Sequence, residues 1–223
     1  MSNLNYYISC EGETEKWYFE WLQSQINSDT RTKNKVTLNP HKGRTPTDYA
    51  KSIRGAFAAT SAGCAKLFYC VQDIEDYSDE HIKKFHELCK NTKKAKSITK
   101  KCQFAIAYSN FTFEVWMIAH RLQVSSIIDR SKYYQEINRA FGFKFVDNDD
   151  YKKEDNFKNV LKLLTLDDII KCALPECDRI RKINNTFYKQ YERQYMGMTY
   201  YVHNPDTNID ELIREILHSS GII

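Results

Sequence analysis

The chain has 223 residues, 42% hydrophobic and 28% charged, enough for one α/β domain with a sizeable core or for a core carrying an inserted helical lobe. Seven Gly and four Pro are too few for long flexible linkers, and no low-complexity tract or solenoid-length repeat is present. The formal charge of +4, from 33 basic and 29 acidic residues, is by itself a weak argument for a polyanionic partner.

In chain order, residues 4–10 (LNYYISC) are apolar, aromatic and β-branched, the pattern of a buried strand that ends at a Glu11-Gly12 corner. Residues 13–27 follow with Trp17, Trp21, Leu22 and Ile26 at helical spacing and an acid-rich first turn. A short strand is predicted over 35–39, and Pro46-Thr47 opens a second helix to about Ala59. Residues 66–72 (KLFYCVQ) read as the central strand and lead into Asp73-Ile74-Glu75-Asp76. A third helix is predicted over 79–90, a buried strand over 102–108, and a helix from Ser109-Asn110 to about His120. This alternation predicts an α/β fold, a Rossmann-like parallel sheet flanked by helices.

Residues 124–195 are helical in tendency and rich in Lys, Tyr and Asn, with Thr165 as a helix cap, and a last helix is expected at about 208–219. The expected organisation is a core over 1–122, a helical insertion or lobe over 123–200, and a C-terminal segment over 201–223 whose helix packs back on the core.

The N-terminal MSNLNYYISCEGETE has no basic segment leading into an apolar one, so no secretory signal is expected. No run approaches ~18 apolar residues, so no membrane span is expected either. The seven Cys are scattered, with no C-x-x-C pair; Cys10, Cys70 and Cys102 read as small buried hydrophobes of a cytoplasmic protein.

Ligands of open parallel sheets sit at the carboxyl ends of the strands. Two predicted strand ends carry acids: Glu11 after the first, and Asp73 with Glu75 after the third. A further end carries Ser109-Asn110, with Glu114 one turn into the next helix. Crowded carboxylates repel, and a hard oxygen-seeking cation relieves that repulsion. Such a cation activates water and stabilises charge on a phosphoryl group. In Asp73-x-Glu75 the strand alternation sends both acids to one side and Ile74 to the other. Gly12 suits a tight corner that a phosphate approaches closely. The same residues also fit plainer roles. Acids after a strand serve as helix caps or solvated loop positions, EGETE fits an acid-rich helix start, and Glu114 fits a surface helix position.

Residues 90–101 (KNTKKAKSITKK) carry Lys93, Lys94 and Lys96 without an acid, either a solvated helix end or a phosphate-tracking surface. Gly43-Arg44-Thr45-Pro46 offers a cation and backbone donors at a helix start. Arg179, Arg181, Lys182, Lys189 and Arg193 lie near Tyr188, Tyr191, Tyr195, Tyr200 and Tyr201, a pattern for stacking bases or for helix packing. His120 lies on an apolar helix, which favours a structural role over general-acid chemistry; Asn110 reads as a helix cap or a ligand-orienting amide. No P-loop and no G-x-S-x-G motif occurs.

Three segments carry a family resemblance. Cys10-Glu11-Gly12-Glu13-Thr14-Glu15 with Tyr18-Phe19 resembles the opening motif of the RloB-like proteins, a Toprim-fold family of bacterial defence and restriction loci. Ser109-Asn110-Phe111-Thr112-Phe113-Glu114-Val115-Trp116, continuing to His120, is similar to that family's Ser-Asn-Pro-Cys-Phe-Glu-x-Trp-x-x-x-His signature. Asn204-Pro205-Asp206-Thr207-Asn208 is similar to its Asn-Pro-Ser-Thr run before the last helix. The motifs fall in family order and span nearly the whole chain. The chain departs from them at Glu75 (for a second Asp), Phe111-Thr112 (for Pro-Cys) and Asp206 (for Ser).

The resemblance implies a Toprim core in which Glu11 serves acid/base chemistry or metal binding and Asp73 with Glu75 holds Mg²⁺ or Mn²⁺. Glu114 joins the catalytic set, with Gly12, Asp76, Asn110 and His120 in support. The implied activity is metal-dependent cleavage of RNA, tRNA included, or of DNA in antiphage defence. A partner ATPase of the same locus and a homo-oligomeric assembly are compatible with it. The competing expectation is a non-catalytic sensor that binds nucleic acid or protein through a degenerate acidic pocket.

Overall fold

The computed structural model describes residues 4–43, 45–59, 66–74, 78–98, 103–124 and 129–223. Its elements in the first half are β1 (Leu4–Cys10), α1 (Glu13–Ser28), β2 (Val36–Lys42), α2 (Pro46–Ala59), β3 (Lys66–Asp73), α3 (Asp79–Ile98), β4 (Gln103–Asn110) and α4 (Glu114–Ala119). They continue as α5 (Tyr133–Phe141), α6 (Asn148–Tyr151), α7 (Glu154–Leu161), α8 (Leu166–Asp168), α9 (Leu174–Phe187), β5 (Glu192–Tyr195), β6 (Met198–Tyr201), β7 (Asp206–Thr207) and α10 (Ile209–Ser220). The architecture is α/β. Two compact units are present: Met1–Gln72 with Lys83–Ala107 and Glu211–Ile223, and Asp73–Ile82 with Tyr108–Asp210. The chain passes between them after Gln72, Ile82, Ala107 and Asp210.

In the first unit β1 pairs in parallel with β2, Tyr6 opposite Leu38, and with β3, Tyr6 opposite Leu67. The strand order is β2-β1-β3-β4. Tyr6, Tyr7, Ile8, Ser9 and Cys10 are all buried, as expected of a parallel strand covered on both faces, and this explains its continuous rather than alternating apolar pattern. α1 buries Tyr18, Phe19, Leu22 and Ile26, each worth roughly 1.5–3 kcal/mol when fully removed from water. Trp17 and Trp21, expected on the inner face, are only half-buried. The helix is rotated so that the smaller residues fill the core and the indoles line its edge. α10 buries Leu212, Ile213, Ile216 and Leu217. The Ser220 carbonyl accepts the N–H groups of Lys33 and Asn34 at 2.8 and 3.1 Å, which ties the helix end to the loop after α1.

α3 runs on through the lysine-rich segment to Ile98, past the predicted end at 90. Ala and Lys are strong helix formers, and Glu87 pairs with Lys90 at 2.5 Å across one turn.

The second unit is mainly helical. Thr165 caps α8 as expected, its hydroxyl accepting the Asp168 N–H while the Asp168 carboxylate accepts the Thr165 N–H. The helical expectation fails over 192–195, where β5 pairs antiparallel with β6, Glu192 opposite Tyr201. Met196 and Gly197 connect them with φ of 51° and 86°, the paired positive φ of a tight hairpin turn. β7 pairs antiparallel with the end of β4, Ser109 opposite Thr207 and Asn110 opposite Asp206. Among the described residues, no helix is long and apolar enough to cross a membrane.

Candidate acidic site and its supporting network

Glu11 is the residue that follows β1 and is half-buried. Gly12 behind it has φ −114° and ψ 176°, ordinary extended backbone, so the corner does not depend on glycine's freedom at positive φ. Its lack of a side chain matters for another reason. A Cβ there would lie 2.6 Å from a Glu15 carboxylate oxygen. That oxygen accepts the Gly12 N–H at 3.0 Å and the Thr14 hydroxyl at 3.2 Å. Of the acids in EGETE, Glu15 therefore caps the start of α1. Glu13 forms loose ion pairs with Lys16 and Lys42 at 3.6 and 3.5 Å.

Asp73 is the last residue of β3 and is half-buried. Cys10, just before Glu11, stands opposite Val71 in the parallel register of β1 and β3; Glu11 belongs to the first unit and Asp73 begins the second. Ile74 is fully buried, and its N–H donates to the Ser109 carbonyl at 2.9 Å. Glu75 and Asp76 lie outside the described residues, as does Arg44. Among the described residues, no group of three or more His, Cys, Asp and Glu is placed to hold a metal ion.

Glu114 starts α4, only 2% exposed, with one carboxylate oxygen 3.2 Å from the Lys152 ammonium. His120 is fully buried; Nδ1 lies 2.8 Å from the Trp116 carbonyl and the ring meets the Trp116 indole edge-on at 4.9 Å. Burial pulls its pKa down to about 4, so the imidazole is neutral near pH 7. Asn110 does not cap α4, which begins four residues later behind Phe113. Its amide donates instead to the carbonyls of Tyr201 and Asn204 at 2.8 and 2.7 Å.

That amide opens a polar network in the second unit. Asp206 accepts the Tyr108 hydroxyl and, at 3.3 Å, the Tyr201 N–H. Burial drives its pKa up to about 6 against the opposing pull of the Tyr108 and Tyr201 hydrogen bonds and the Arg181 charge. Thr207 Oγ1 donates to the Tyr108 carbonyl at 2.9 Å and lies 3.2 Å from Ser109 Oγ. Asn208 Oδ1 accepts the Tyr108 N–H at 2.7 Å. The Asn184 amide reaches the Pro205 carbonyl at 3.1 Å and accepts from Asn204. Asp210, wholly buried, takes two hydrogen bonds from Arg181 at 2.8 and 2.6 Å. Residue chemistry missed Asn184, Asp210 and Tyr108. Only the motif at 204–208 pointed to this region.

Arg181 also bonds Asp178 at 2.8 Å, so its guanidinium is committed to two carboxylates rather than presented to a phosphate. Lys93, Lys94 and Lys182 are exposed; Lys96 belongs to α3, and its side chain lies outside the described residues. Of the tyrosines expected to stack bases, Tyr200 and Tyr201 are buried. Tyr188 and Tyr191 are half-buried and stack on each other at 6.2 Å. A cavity of about 210 Å³ in this unit, lined by Arg179, Ile180, Ile183, Tyr188, Asn204 and Pro205, includes none of the predicted acids.

A family model described as RloB-like protein matches residues 6–216. No curated protein and no solved structure matches the chain.

Proposed function

Because the chain belongs to the RloB-like family, we propose that it is a Toprim-type, Mg²⁺- or Mn²⁺-dependent nuclease that cleaves RNA, tRNA included, or DNA in antiphage defence. The observation that carries this reading is the parallel pairing of β1 with β3, Cys10 opposite Val71. Glu11 directly follows the one strand and Asp73 closes the other. Carboxyl ends of neighbouring parallel strands are where open α/β sheets bind ligands.

In this reading Glu11 and Asp73 supply hard oxygen donors, with Glu75 as a third. An ion held by these carboxylates would supply an activated water and neutralise charge building on the phosphoryl oxygens. Glu11 would serve either as a ligand of that ion or as the base that takes a proton from the attacking water. Buried Ile74 anchors the strand end that carries Asp73. Glu114, held by Lys152, supports the start of α4 without touching the reacting atoms. Exposed Lys93, Lys94 and Lys182 contribute sequence-independent attraction for the phosphate backbone, which weakens as salt rises.

The test incubates the purified chain with total RNA and with plasmid DNA, with and without Mn²⁺, beside Glu11→Ala and Asp73→Ala. Cleavage that requires the ion and disappears in both variants, with their circular dichroism unchanged, is expected. Full cleavage by both variants refutes the site. No divalent-ion binding at millimolar concentration in a calorimetric titration assigns the chain to the sensor role instead.

A further inference from the structure

We propose that the segment Asn204–Asn208 is a positioning clamp for Asp73, acting through the end of β4. The inference rests on the reading of Asp73 as a metal ligand. All of its contacts lie within the second unit, which contains Asp73–Ile82 and Tyr108–Asp210.

The link to the acid is one backbone hydrogen bond, from the Ile74 N–H to the Ser109 carbonyl at 2.9 Å. Its peptide is the one that joins Ile74 to Asp73, so wherever Ser109 is held, the Asp73 backbone follows. Ser109 and its neighbours are held by several hydrogen bonds. Tyr108 gives its N–H to Asn208 Oδ1 at 2.7 Å, while its carbonyl takes the Asn208 N–H at 3.2 Å and the Thr207 hydroxyl at 2.9 Å. Ser109 pairs with Thr207 in the ladder and through a 3.2 Å hydroxyl contact. Asn110 pins the Tyr201 and Asn204 carbonyls at 2.8 and 2.7 Å, and Asp206 accepts the Tyr108 hydroxyl.

Ser109, Asn110 and Thr207 are at most 1% exposed, so water cannot stand in for a lost partner. The end of β4 is therefore fixed by protein groups alone, and the third signature supplies several of them. Thr207 does not touch the ion or the substrate; it is a positioning residue. Groups that orient metal ligands from behind set affinity as well as geometry, typically by about 10- to 100-fold.

The experiment measures Mn²⁺ affinity by calorimetry on the full chain, comparing Thr207→Val, which keeps shape and loses the hydroxyl, with Thr207→Ser, which restores it. Thr207→Val is expected to raise the Kd for Mn²⁺ by about tenfold or more and Thr207→Ser to leave it unchanged. Amide exchange on the unmodified protein tests the same coupling in reverse, because linkage is reciprocal: Mn²⁺ is expected to slow exchange at Tyr108 as well as at Ile74. A folded Thr207→Val chain with unchanged Mn²⁺ affinity overturns the clamp. If that variant does not fold, a Tyr108 amide indifferent to saturating Mn²⁺ overturns it. Asp73→Asn separates the two failures. If it loses Mn²⁺ while Thr207→Val does not, only the clamp is wrong; if it binds as tightly as the unmodified chain, the acidic site is wrong and the clamp falls with it.

Discussion

Replacing Asp206 with Asn should flatten a pH dependence that the unmodified protein carries. The Asp206 carboxyl is buried at 3% exposure, and its pKa rises from 3.8 to about 6. Desolvation is the largest cause, outweighing the Tyr108 hydroxyl, the Tyr201 N–H, the Arg181 charge and the Asn184 amide, all of which favour the anion. The folded chain thus holds this proton more tightly than the unfolded chain. Its linked contribution to stability is fully present below about pH 3.8 and is lost as pH rises through about 6. A difference of about two pKa units corresponds to about 3 kcal/mol. The amide of Asp206→Asn has nothing to ionise and keeps an oxygen for the Tyr108 hydroxyl. Urea denaturation of both proteins at half-unit steps from pH 4 to 7.5 should show the variant gaining about 3 kcal/mol on the unmodified chain over that window. Other carboxylates, such as Asp29, drawn down to about 2 by Arg31, act equally in both proteins and cancel. A flat difference, or one that turns against the variant as pH rises, would mean that the surrounding donors outweigh burial and would refute the argument.

Arg181→Met removes the counter-charge of wholly buried Asp210 and should destabilise the fold by about 3 kcal/mol. Adding Asp210→Asn should recover much of that loss in thermal melts, and no recovery would show that packing rather than charge is responsible. Among the described cysteines, Cys172 is exposed while Cys10, Cys89 and Cys177 are buried. Burial also pushes the Cys89 thiol up to about 11 and that of Cys177 well above its usual range. A limiting amount of aromatic disulfide reagent should therefore label Cys172 before Cys10, Cys89 and Cys177, checked by peptide mass spectrometry; equal labelling of Cys177 would contradict the packing of α9.

The strands were legible because β1, β3 and β4 are near-continuous apolar or aromatic runs in alternation with helices, and in β1 burial on both faces leaves little choice of residue. What failed locally failed for local reasons. The α1 pattern named the indoles, but the core took the neighbouring Tyr18-Phe19 face. The β5–β6 hairpin turns at Met196-Gly197, where a non-glycine residue adopts positive φ and gives no Asn-Gly signal. The acids at the strand ends could be named from the sequence, since a strand's end is a local feature, and Glu15 shows the limit of that reading: the same run of acids includes a helix cap.

The network behind the acids was not readable in this way. Asn208 meets Tyr108 across 100 residues and Asn204 meets Asn110 across 94, and contacts closed over such distances leave no periodicity in the chain. The motif at 204–208 marked the place without indicating its use. Its departure from the resembling pattern, Asp206 for Ser, makes chemical sense only in that setting. A buried carboxylate needs donors, and the Tyr108 hydroxyl, the Tyr201 N–H and the Asn184 amide meet it there, with the Arg181 charge nearby. The substitution therefore adds a titrating group to the segment that holds the end of β4, and through Ser109 the backbone beside Asp73, without leaving that group unsatisfied.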